Sequence, residues 1–483
     1  MPPSLRIFIQ KKRTWLPTLS LLFWSCVGTP PSVEPPIVPA PLTWESSDSS
    51  EEEGNQTPVT TLRFPGSEFV DTAVPSLVGE ALAQSPFLES AEALAEAAGA
   101  QFATARSARR PQVNARLQGT RQKHNLGTSA AFGRYFGGST FVTNHYASNL
   151  AASWEIDLWG RLRNLENAAR ADHEAALLDF QVARLSIAAQ TARGWTALTA
   201  ASLADALASE TVKSYEANLG VIQTRFQQGL ASALDLRLTQ ASLTSARANL
   251  ENQSRLEKEA RRALEILLAR YPSAKIHPGK SLPQLQSLLP VGLPAQLLTR
   301  RPDIKAAQQR LRAAGLRARE AEKGFLPNLS LTGSTGTASQ ELRNLTDSNF
   351  SAWNLFGNLA QPLLDGGRIQ ARKHHAAALQ KKAVAQYRSV LLQAFREVED
   401  ALDAEARLAR EEAALSQAAA EFAEAETLAW ERYSKGLTDI LTPLEAQRRS
   451  NEAGIRHLAL QAQRIDNRIQ LHLALASELG MEE

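Results

Sequence analysis

The chain carries one segment twice, as RFQQGLASALDLRLTQ at residues 225–240 and as RYSKGLTDILTPLEAQ at residues 432–447. Matching residues lie 207 positions apart, and this spacing relates residues 160–270 to residues 367–477 without a gap. Two gap-free copies of this length share one backbone plan. The duplication therefore predicts two structurally equivalent halves.

Each copy is predicted to form two very long helices joined by a glycine turn. Residues 166–228 contain no proline, and residues 231–270 contain neither proline nor glycine. A helix of 60 residues is about 90 Å long at 1.5 Å per residue, which requires a coiled-coil-like or tubular arrangement. Gly229 and Gly436 suit the turns, because glycine adopts positive φ at no steric cost. Shorter helical patterns occupy residues 77–109 and 294–323.

Two β-hairpins are predicted, at residues 112–158 and 326–364, one ahead of each helical copy. Residues 142–158 alternate between apolar and polar side chains, which is typical of a strand with one buried face. Phe356 is out of phase in the last strand. The four predicted strands are residues 112–122, 142–158, 328–335 and 352–364.

Two interpretations of these hairpins fit the alternation. They are soluble hairpins packed on the helices, or they cross a membrane. Four strands cannot close a membrane barrel, since about eight is the smallest number that closes. Open strand edges in lipid would leave backbone groups unpaired. In a membrane, several chains must therefore share one barrel, and three chains would supply twelve strands.

The N-terminus has the pattern of an export signal. Basic residues from Arg6 to Arg13 precede an apolar stretch from Trp15 to Ser25, which is too short to span a bilayer as a helix. Cys26, the single cysteine of the chain, follows at once and resembles the acylated cysteine of bacterial lipoproteins. Two outcomes fit: acyl chains such as palmitate on Cys26, tethering the protein to a membrane leaflet, or plain signal cleavage with a free thiol.

Composition divides the rest of the chain. Residues 27–70 combine prolines with an acidic serine run, so we expect a disordered linker that buries too little apolar surface to fold. With residues 1–26 as the export signal, the predicted repeats are residues 71–293 and residues 294–483.

Charge and chemistry exclude several classes of function. The chain has 53 Lys and Arg against 50 Asp and Glu, a net charge of +3, which does not support a nucleic-acid partner. His374 and His375 are adjacent, so on a helix they point about 100° apart and share a metal poorly. No clustered catalytic set occurs, and we expect no enzyme activity, no cofactor and no metal site.

Several motifs occur in the order found in one family. The chain resembles the outer-membrane efflux factors, which are TolC-like proteins, and within them the lipoprotein branch of drug and metal efflux systems. The resemblance covers roughly residues 70–480, and the repeated tip segments are similar to that family's two helix–turn–helix hairpins. Beyond these tips, the motifs are SWEIDLWGRLR at 153–163, RRPDI at 300–304, GFLPNLSLTGS at 324–334 and QPLLDGGR at 361–368.

The resemblance implies a mostly helical fold with a small membrane β part. It implies a homotrimer in the outer membrane, with a twelve-stranded barrel that continues into a periplasmic helical tunnel. The expected function is a passive conduit for drugs, metals or lipophilic compounds, coupled through a periplasmic adaptor protein to an inner-membrane pump. The alternative is a soluble periplasmic coiled-coil scaffold without a pore.

The resemblance also implies a gate at the tips. Glu445 and Arg448 match the family's acidic residue three positions before an arginine, and Asp235 and Asp439 are further candidates. In a trimer each carboxylate becomes a ring that favours cations, and carboxylate–arginine pairs between chains would latch the tunnel. Solvated helix-face charges are the alternative reading. The predicted adaptor-docking residues are Arg225, Gly229, Leu230, Ser232, Arg432, Gly436, Leu437 and Thr438.

Overall fold

A computed structural model describes residues 63–64, 73–125, 140–283, 285, 300–475 and 478–479. All of them belong to a compact unit from Pro36 to Glu483. The predicted export signal and Cys26 lie outside the described residues.

The described elements alternate between short strands and helices in the order that the duplication predicts. Both halves place two antiparallel strands next to a pair of long helices. In chain order the elements are β1 (Arg63–Phe64), α1 (Ala73–Gln84), α2 (Pro86–Ser107), β2 (Gln112–Asn125), β3 (Thr140–Ile156), α3 (Arg161–Gln227), α4 (Ala233–Leu267), α5 (Pro302–Glu322), β4 (Asn328–Ser339), β5 (Ser351–Ala360), α6 (Arg368–Ser434), α7 (Leu441–Ala474) and β6 (Glu478–Leu479).

The long helices confirm the duplication. Helices α3 and α6 each have 67 residues, and both their first and their last residues are 207 positions apart. A helix of that length is about 100 Å long at 1.5 Å per residue. Helices α4 and α7 have 35 and 34 residues and return alongside α3 and α6. Among the described residues, no helix combines the length and the hydrophobicity needed to cross a membrane.

The predicted helix over residues 77–109 is two helices, which corrects the sequence interpretation. Helix α1 ends at Gln84, and Ser85 is extended, with φ −67° and ψ 117°. Pro86 then occupies the first turn of α2. Proline lacks an N–H group and disfavours helical geometry in the residue before it, so the break falls at this position.

The four predicted strands form one antiparallel sheet in the order β2-β3-β4-β5. The two predicted hairpins are present as β2–β3 and β4–β5, and β3 also pairs with β4. This central pairing joins the halves of the chain, as in Trp154 opposite Leu331. Strand β1, which lies inside the predicted linker, pairs in parallel with β6.

The sheet has one apolar and one polar face. The register places odd residues of β2, β4 and β5 and even residues of β3 on the same side. Phe356 and Phe141 are exceptions on the polar side, and the sequence indicated the first of them. Exposed apolar residues of the first face are Val113, Leu117, Val142, Leu150, Trp154, Trp353, Leu355 and Leu359. The opposite side carries residues such as Asn114, Gln118, Ser153, Glu155, Ser330, Thr332, Asn354 and Asn358.

The four helices joined to the strands lie side by side in the same order as the strands β2, β3, β4 and β5. Helix α2 packs on α3, α3 on α5, and α5 on α6. The buried carboxylate of Glu320 on α5 accepts hydrogen bonds from Arg161 of α3 at 3.2 Å and from Arg372 of α6 at 2.8 Å. One carboxylate thus ties three helices together at the base of the sheet.

Both sides of this layered arrangement are open among the described residues. Strands β2 and β5 each have one neighbour in the sheet. The helices beside them also present apolar side chains to solvent, namely Phe87 and Leu94 on α2 and Leu379 and Leu392 on α6. An unpaired strand edge beside an apolar helix face indicates a surface that another chain covers.

Candidate functional site

The two hairpin tips have the same backbone geometry. Gly229 has φ 73° and Gly436 has φ 75°, a left-handed conformation that favours glycine. In each tip the next residue donates its N–H group to the carbonyl oxygen five positions earlier. Leu230 donates to Arg225 at 2.8 Å, and Leu437 donates to Arg432 at 2.9 Å. A Cβ on either glycine would touch nothing within 4 Å, so the backbone angle explains the residue type.

The first tip is closed by a capping box at the start of α4. The Ser232 hydroxyl accepts a hydrogen bond from the Asp235 N–H at 3.1 Å, and the Asp235 carboxylate accepts one from the Ser232 N–H at 3.0 Å. This arrangement satisfies two N–H groups that a helix start leaves without partners. Asp235, a predicted gate residue, therefore caps its own helix.

The second tip caps its helix with the same two positions, with the carboxylate and the hydroxyl side chains exchanged. Asp439 corresponds to Ser232, and Thr442 corresponds to Asp235. The Asp439 carboxylate accepts from the Thr442 N–H at 3.2 Å and from the Thr442 hydroxyl at 3.1 Å. The carboxylate of each predicted gate aspartate is thus bound within its own chain. Their role in gating stays a prediction.

Glu445 and Arg448 come together, but on one helix of one chain. Arg448 donates two hydrogen bonds to Glu445, at 2.9 and 2.7 Å, and Arg449 donates a third at 2.8 Å. Arg448 also reaches Glu452. The hydrogen bonds from Arg448 and Arg449 lower the pKa of Glu445 to about 2. A latch between chains that uses this pair stays a prediction, and it would need Arg448 to exchange partners.

Arg225 is one of the links between the two tips. Its guanidinium donates to the carbonyl oxygen of Tyr433 at 3.3 Å and to that of Ser434 at 3.2 Å. The same group lies over the Tyr433 ring, 4.9 Å from the ring centroid, which is a cation–π contact. Burial raises the pKa of Tyr433, and the charge of Asp235 adds to that rise.

Farther from the two glycine turns, a buried polar network connects the two helical hairpins. Gln447, fully buried on α7, donates to the Ser214 hydroxyl at 2.8 Å and accepts from Asn218 at 3.3 Å, both on α3. Tyr215 is buried beside these residues, and desolvation raises its pKa. These residues were absent from the predicted site. The repeated Gln240/Gln447 pair and the repeated Arg–aromatic pairs at 225–226 and 432–433 were the signals in the sequence.

The predicted docking residues form matching surfaces on the two tips. Leu230 and Leu437 are exposed apolar side chains at equivalent positions. Arg432 is exposed, and the Thr438 hydroxyl donates to Thr442 at 2.9 Å. No group of metal-ligating side chains occurs within the part of the chain that the structure describes.

Comparison with known proteins gives the class of protein that these features define. The family model described as "Outer membrane efflux protein" matches residues 77–270 and 293–477. The chain belongs to this family, which confirms the predicted fold, the outer-membrane location and the function as an efflux channel.

Particular relatives cover nearly the whole chain. The outer membrane protein OprJ of Pseudomonas aeruginosa is 35% identical over 424 residues, which are 87% of this chain and 86% of OprJ. The toluene efflux pump outer membrane protein TtgI of Pseudomonas putida is 29% identical over 467 residues, 95% of this chain and 97% of TtgI. A crystal structure of a membrane protein from Pseudomonas aeruginosa matches with a TM-score of 0.82 at 33% identity, covering 92% of this chain and 99% of that one.

Proposed function

We propose that three copies of this chain form a passive outer-membrane conduit in a tripartite efflux pump. The conduit performs no covalent chemistry. An inner-membrane pump supplies the energy, and a periplasmic adaptor protein docks on the hairpin tips, where Leu230 and Leu437 offer equivalent apolar contacts. Cys26, if acylated, anchors the chain to the membrane leaflet.

The observation that carries this proposal is the sheet, with one apolar face, one polar face and two open edges. Membrane barrels place apolar side chains toward lipid and polar side chains toward the lumen. Four strands cannot close, and an open edge in hydrocarbon costs several kcal/mol for each unsatisfied backbone group. Three copies supply twelve strands and leave no edge. A soluble scaffold has no use for an exposed apolar sheet face.

The lining of the channel restricts the class of solute only broadly. TtgI is named for toluene efflux. Among the described residues, the polar sheet face carries mainly amides and hydroxyls with a few charged side chains such as Glu155, so we propose that the conduit sorts solutes by size and charge. The inner-membrane pump would select the solute.

Single-channel recording in planar bilayers tests the proposal. Detergent-purified protein is expected to have the native mass of three chains and to give discrete conductance steps. A stable single chain without detergent would contradict the trimeric conduit.

A matched pair of variants tests the orientation of the sheet. Leu355 and Phe356 are adjacent exposed apolar residues of β5 on opposite faces. Leu355→Arg places a charge in lipid at a cost of about 2–4 kcal/mol near the bilayer centre, so it should reduce insertion into membranes. Phe356→Arg should insert normally and change the conductance. Equal insertion of the two variants would contradict the assignment of the faces.

A further inference from the structure

We propose that Arg432 clasps the neighbouring copy of this chain at the tips, repeating between chains the contact that Arg225 makes within one chain. The proposal rests on the trimeric assembly of the proposed function. In the trimer, the first tip of the next copy covers the exposed side of the second tip.

The contact within one chain, between Arg225 and the end of α6, is fully formed in the structure. Arg225 at the end of α3 donates to two carbonyl oxygens at the end of α6, those of Tyr433 and Ser434, at 3.3 and 3.2 Å. It also stacks over the Tyr433 ring. The ring is packed, with 6% of Tyr433 exposed. Arginine suits this task, because its planar fork donates several hydrogen bonds while one face lies on an aromatic ring.

The duplication supplies every part of this contact a second time. A shift of 207 positions converts Arg225 into Arg432, and it relates Tyr433 and Ser434 to Phe226 and Gln227. Arg432 is exposed, and no described side chain or carbonyl pairs with it. The equivalent aromatic ring is also uncovered, since 41% of Phe226 is exposed against 6% of Tyr433.

The receiving carbonyl groups have the same geometry in both tips. Gly436 donates its N–H to the Tyr433 oxygen at 2.9 Å, and Gly229 donates to the Phe226 oxygen at 3.0 Å. In the first case the carbonyl oxygen still accepts Arg225 on its second lone pair. The Phe226 oxygen is therefore prepared in the same way for a second guanidinium.

The order of the helices places these parts next to each other in a closed ring. Within the chain α3 packs against α4 and α7, and α7 packs against α6, so α4 and α6 flank the four-helix layer. Ring closure by a head-to-tail contact brings α6 of one copy beside α4 of the next. Arg432 lies at the end of α6, and Phe226 lies at the end of α3, just before the Gly229 turn that leads into α4.

A second link of the same contact is also duplicated. Gln447 of α7 donates to Ser214 of α3 within the chain. The shift relates Gln447 to Gln240 and Ser214 to Glu421, and neither of these two side chains has a hydrogen-bond partner among the described residues. An amide facing a carboxylate keeps the donor and strengthens the acceptor. Glu421 on α6 of one copy and Gln240 on α4 of the next are thus expected to pair at the same interface as Arg432.

Cysteine cross-linking with a short bis-methanethiosulfonate reagent distinguishes the two halves of the arrangement, because the reagent spans the reach of the replaced arginine, which a direct disulfide does not. The pair Phe226→Cys/Arg432→Cys probes the contact between chains, and the pair Arg225→Cys/Tyr433→Cys probes the contact within a chain. Each is introduced into the full chain, treated with the reagent in detergent after assembly, and separated on a denaturing gel without reductant. We expect the first pair to give covalent dimers and trimers that collapse on reduction, and the second pair to give monomers with an internal bond.

The outcomes separate this proposal from the one on which it rests. A wild-type trimer whose 226/432 pair stays monomeric, while its 225/433 pair forms the internal bond, overturns the clasp and leaves the trimer intact. A wild-type chain that has the native mass of one copy overturns the trimer itself.

Conductance gives a second readout that does not depend on cysteines. Arg432→Ala is expected to increase leakage through the closed channel, and Arg432→Lys should restore only part of the closure, because lysine lacks the planar fork. Lys435→Ala is the control, since Lys435 pairs with Glu431 on its own helix. Equal leakage from Arg432→Ala and Lys435→Ala contradicts the clasp.

Discussion

The two helical copies share a backbone but are stabilised differently in their interiors. Leu198 of α3 and Glu405 of α6 occupy equivalent positions, 207 residues apart, and both are buried. Leu198 lies in an apolar cluster with Trp195 and Leu264, which α1 covers with Val78. A sheltered site of this kind favours apolar side chains.

Glu405 instead lies at the centre of an ionic network. It is 4% exposed and accepts a hydrogen bond at 2.6 Å from Arg468, which is 2% exposed. Arg464 and Asn467 donate to the same carboxylate at 3.4 Å. Where the first copy has an apolar contact between its two helices, the second has a buried ion pair.

The difference teaches that the duplicated backbone tolerates two kinds of interior. Arg468 corresponds to Arg261, which pairs with Glu257 one turn away on its own helix. The arginine is thus present in both copies, and the partner across the hairpin is new in the second. Buried ion pairs add little stability but penalise any arrangement that separates them. We infer that the second hairpin is held in register by this pair.

The largest effect is expected from breaking the ion pair. Glu405→Ala removes the carboxylate that faces the buried Arg468 guanidinium and should destabilise the helical part by about 3–5 kcal/mol. Denaturant-dependent loss of the helical circular dichroism measures this. The double variant Glu405→Leu/Arg468→Met, which replaces the buried ion pair by an apolar contact, should recover most of the loss. A single variant as stable as the wild type would show that the pair is not buried in the assembled protein.

Removing the buried side chain at the equivalent apolar position of the first copy should destabilise the protein nearly as much. Leu198→Ala opens a cavity in the first copy and is expected to cost about 2–5 kcal/mol in the same measurement. Leu379→Ala is the control in the single chain, because Leu379 is exposed on α6. In the trimer, a loss for Leu379→Ala would instead mark it as an interface residue. An unchanged Leu198→Ala contradicts the packed interior of the first copy.

Alanine at either turn glycine should destabilise the protein by a similar amount. Gly436→Ala and Gly229→Ala each force an alanine into left-handed geometry, at a cost of about 1–2 kcal/mol. Gly220 provides the opposite control, since it lies inside α3 with open space around it. Gly220→Ala should stabilise the helix by about 0.5–1 kcal/mol. Different penalties at the two turns would show that one tip bears extra strain or a contact.

The smallest effect concerns the charges unique to the second tip. Glu445, Arg448, Arg449 and Glu452 replace Leu238, Ala241, Ser242 and Ser245 of the first copy. The group is exposed, so Glu445→Gln should leave thermal stability within error of the wild type.

The contribution of Glu445 to stability depends on pH in a defined direction. The folded pKa of Glu445, about 2, lies below the ordinary glutamate value, so its contribution is present above the unfolded pKa and is lost as pH falls toward 2. NMR titration of the carboxyl group should therefore show no midpoint between pH 4 and pH 8. A midpoint in that interval would indicate that assembly replaces its arginine partners.

Much of the fold follows from local patterns. The constant spacing of 207 positions, the absence of proline and the glycine turns predicted α3, α4, α6 and α7 to within a few residues. Alternation located all four strands, although β5 ends at Ala360 rather than at residue 364. Pro86 was misread, because an alanine-rich helical pattern continues on both sides of it.

The site was harder to predict, because its contacts join distant parts of the chain. Asp235 and Asp439 have the residue type of gate charges, and only the helix starts reveal them as caps. Glu405 and Arg468 look like ordinary surface charges in a helical sequence. Their burial depends on how two helices face each other, which no local pattern contains.

By itself, the sequence determined that one helical hairpin design is used twice, where each hairpin turns, and that short amphipathic strands precede both. These properties depend on residues near one another in the chain. Only the tertiary structure decided that Arg225 contacts the second tip, that Glu405 is paired in the interior, and that Arg432 is left exposed. Such features arise from the packing of segments some 200 residues apart, where the geometry of the helices selects which equivalent side chains meet.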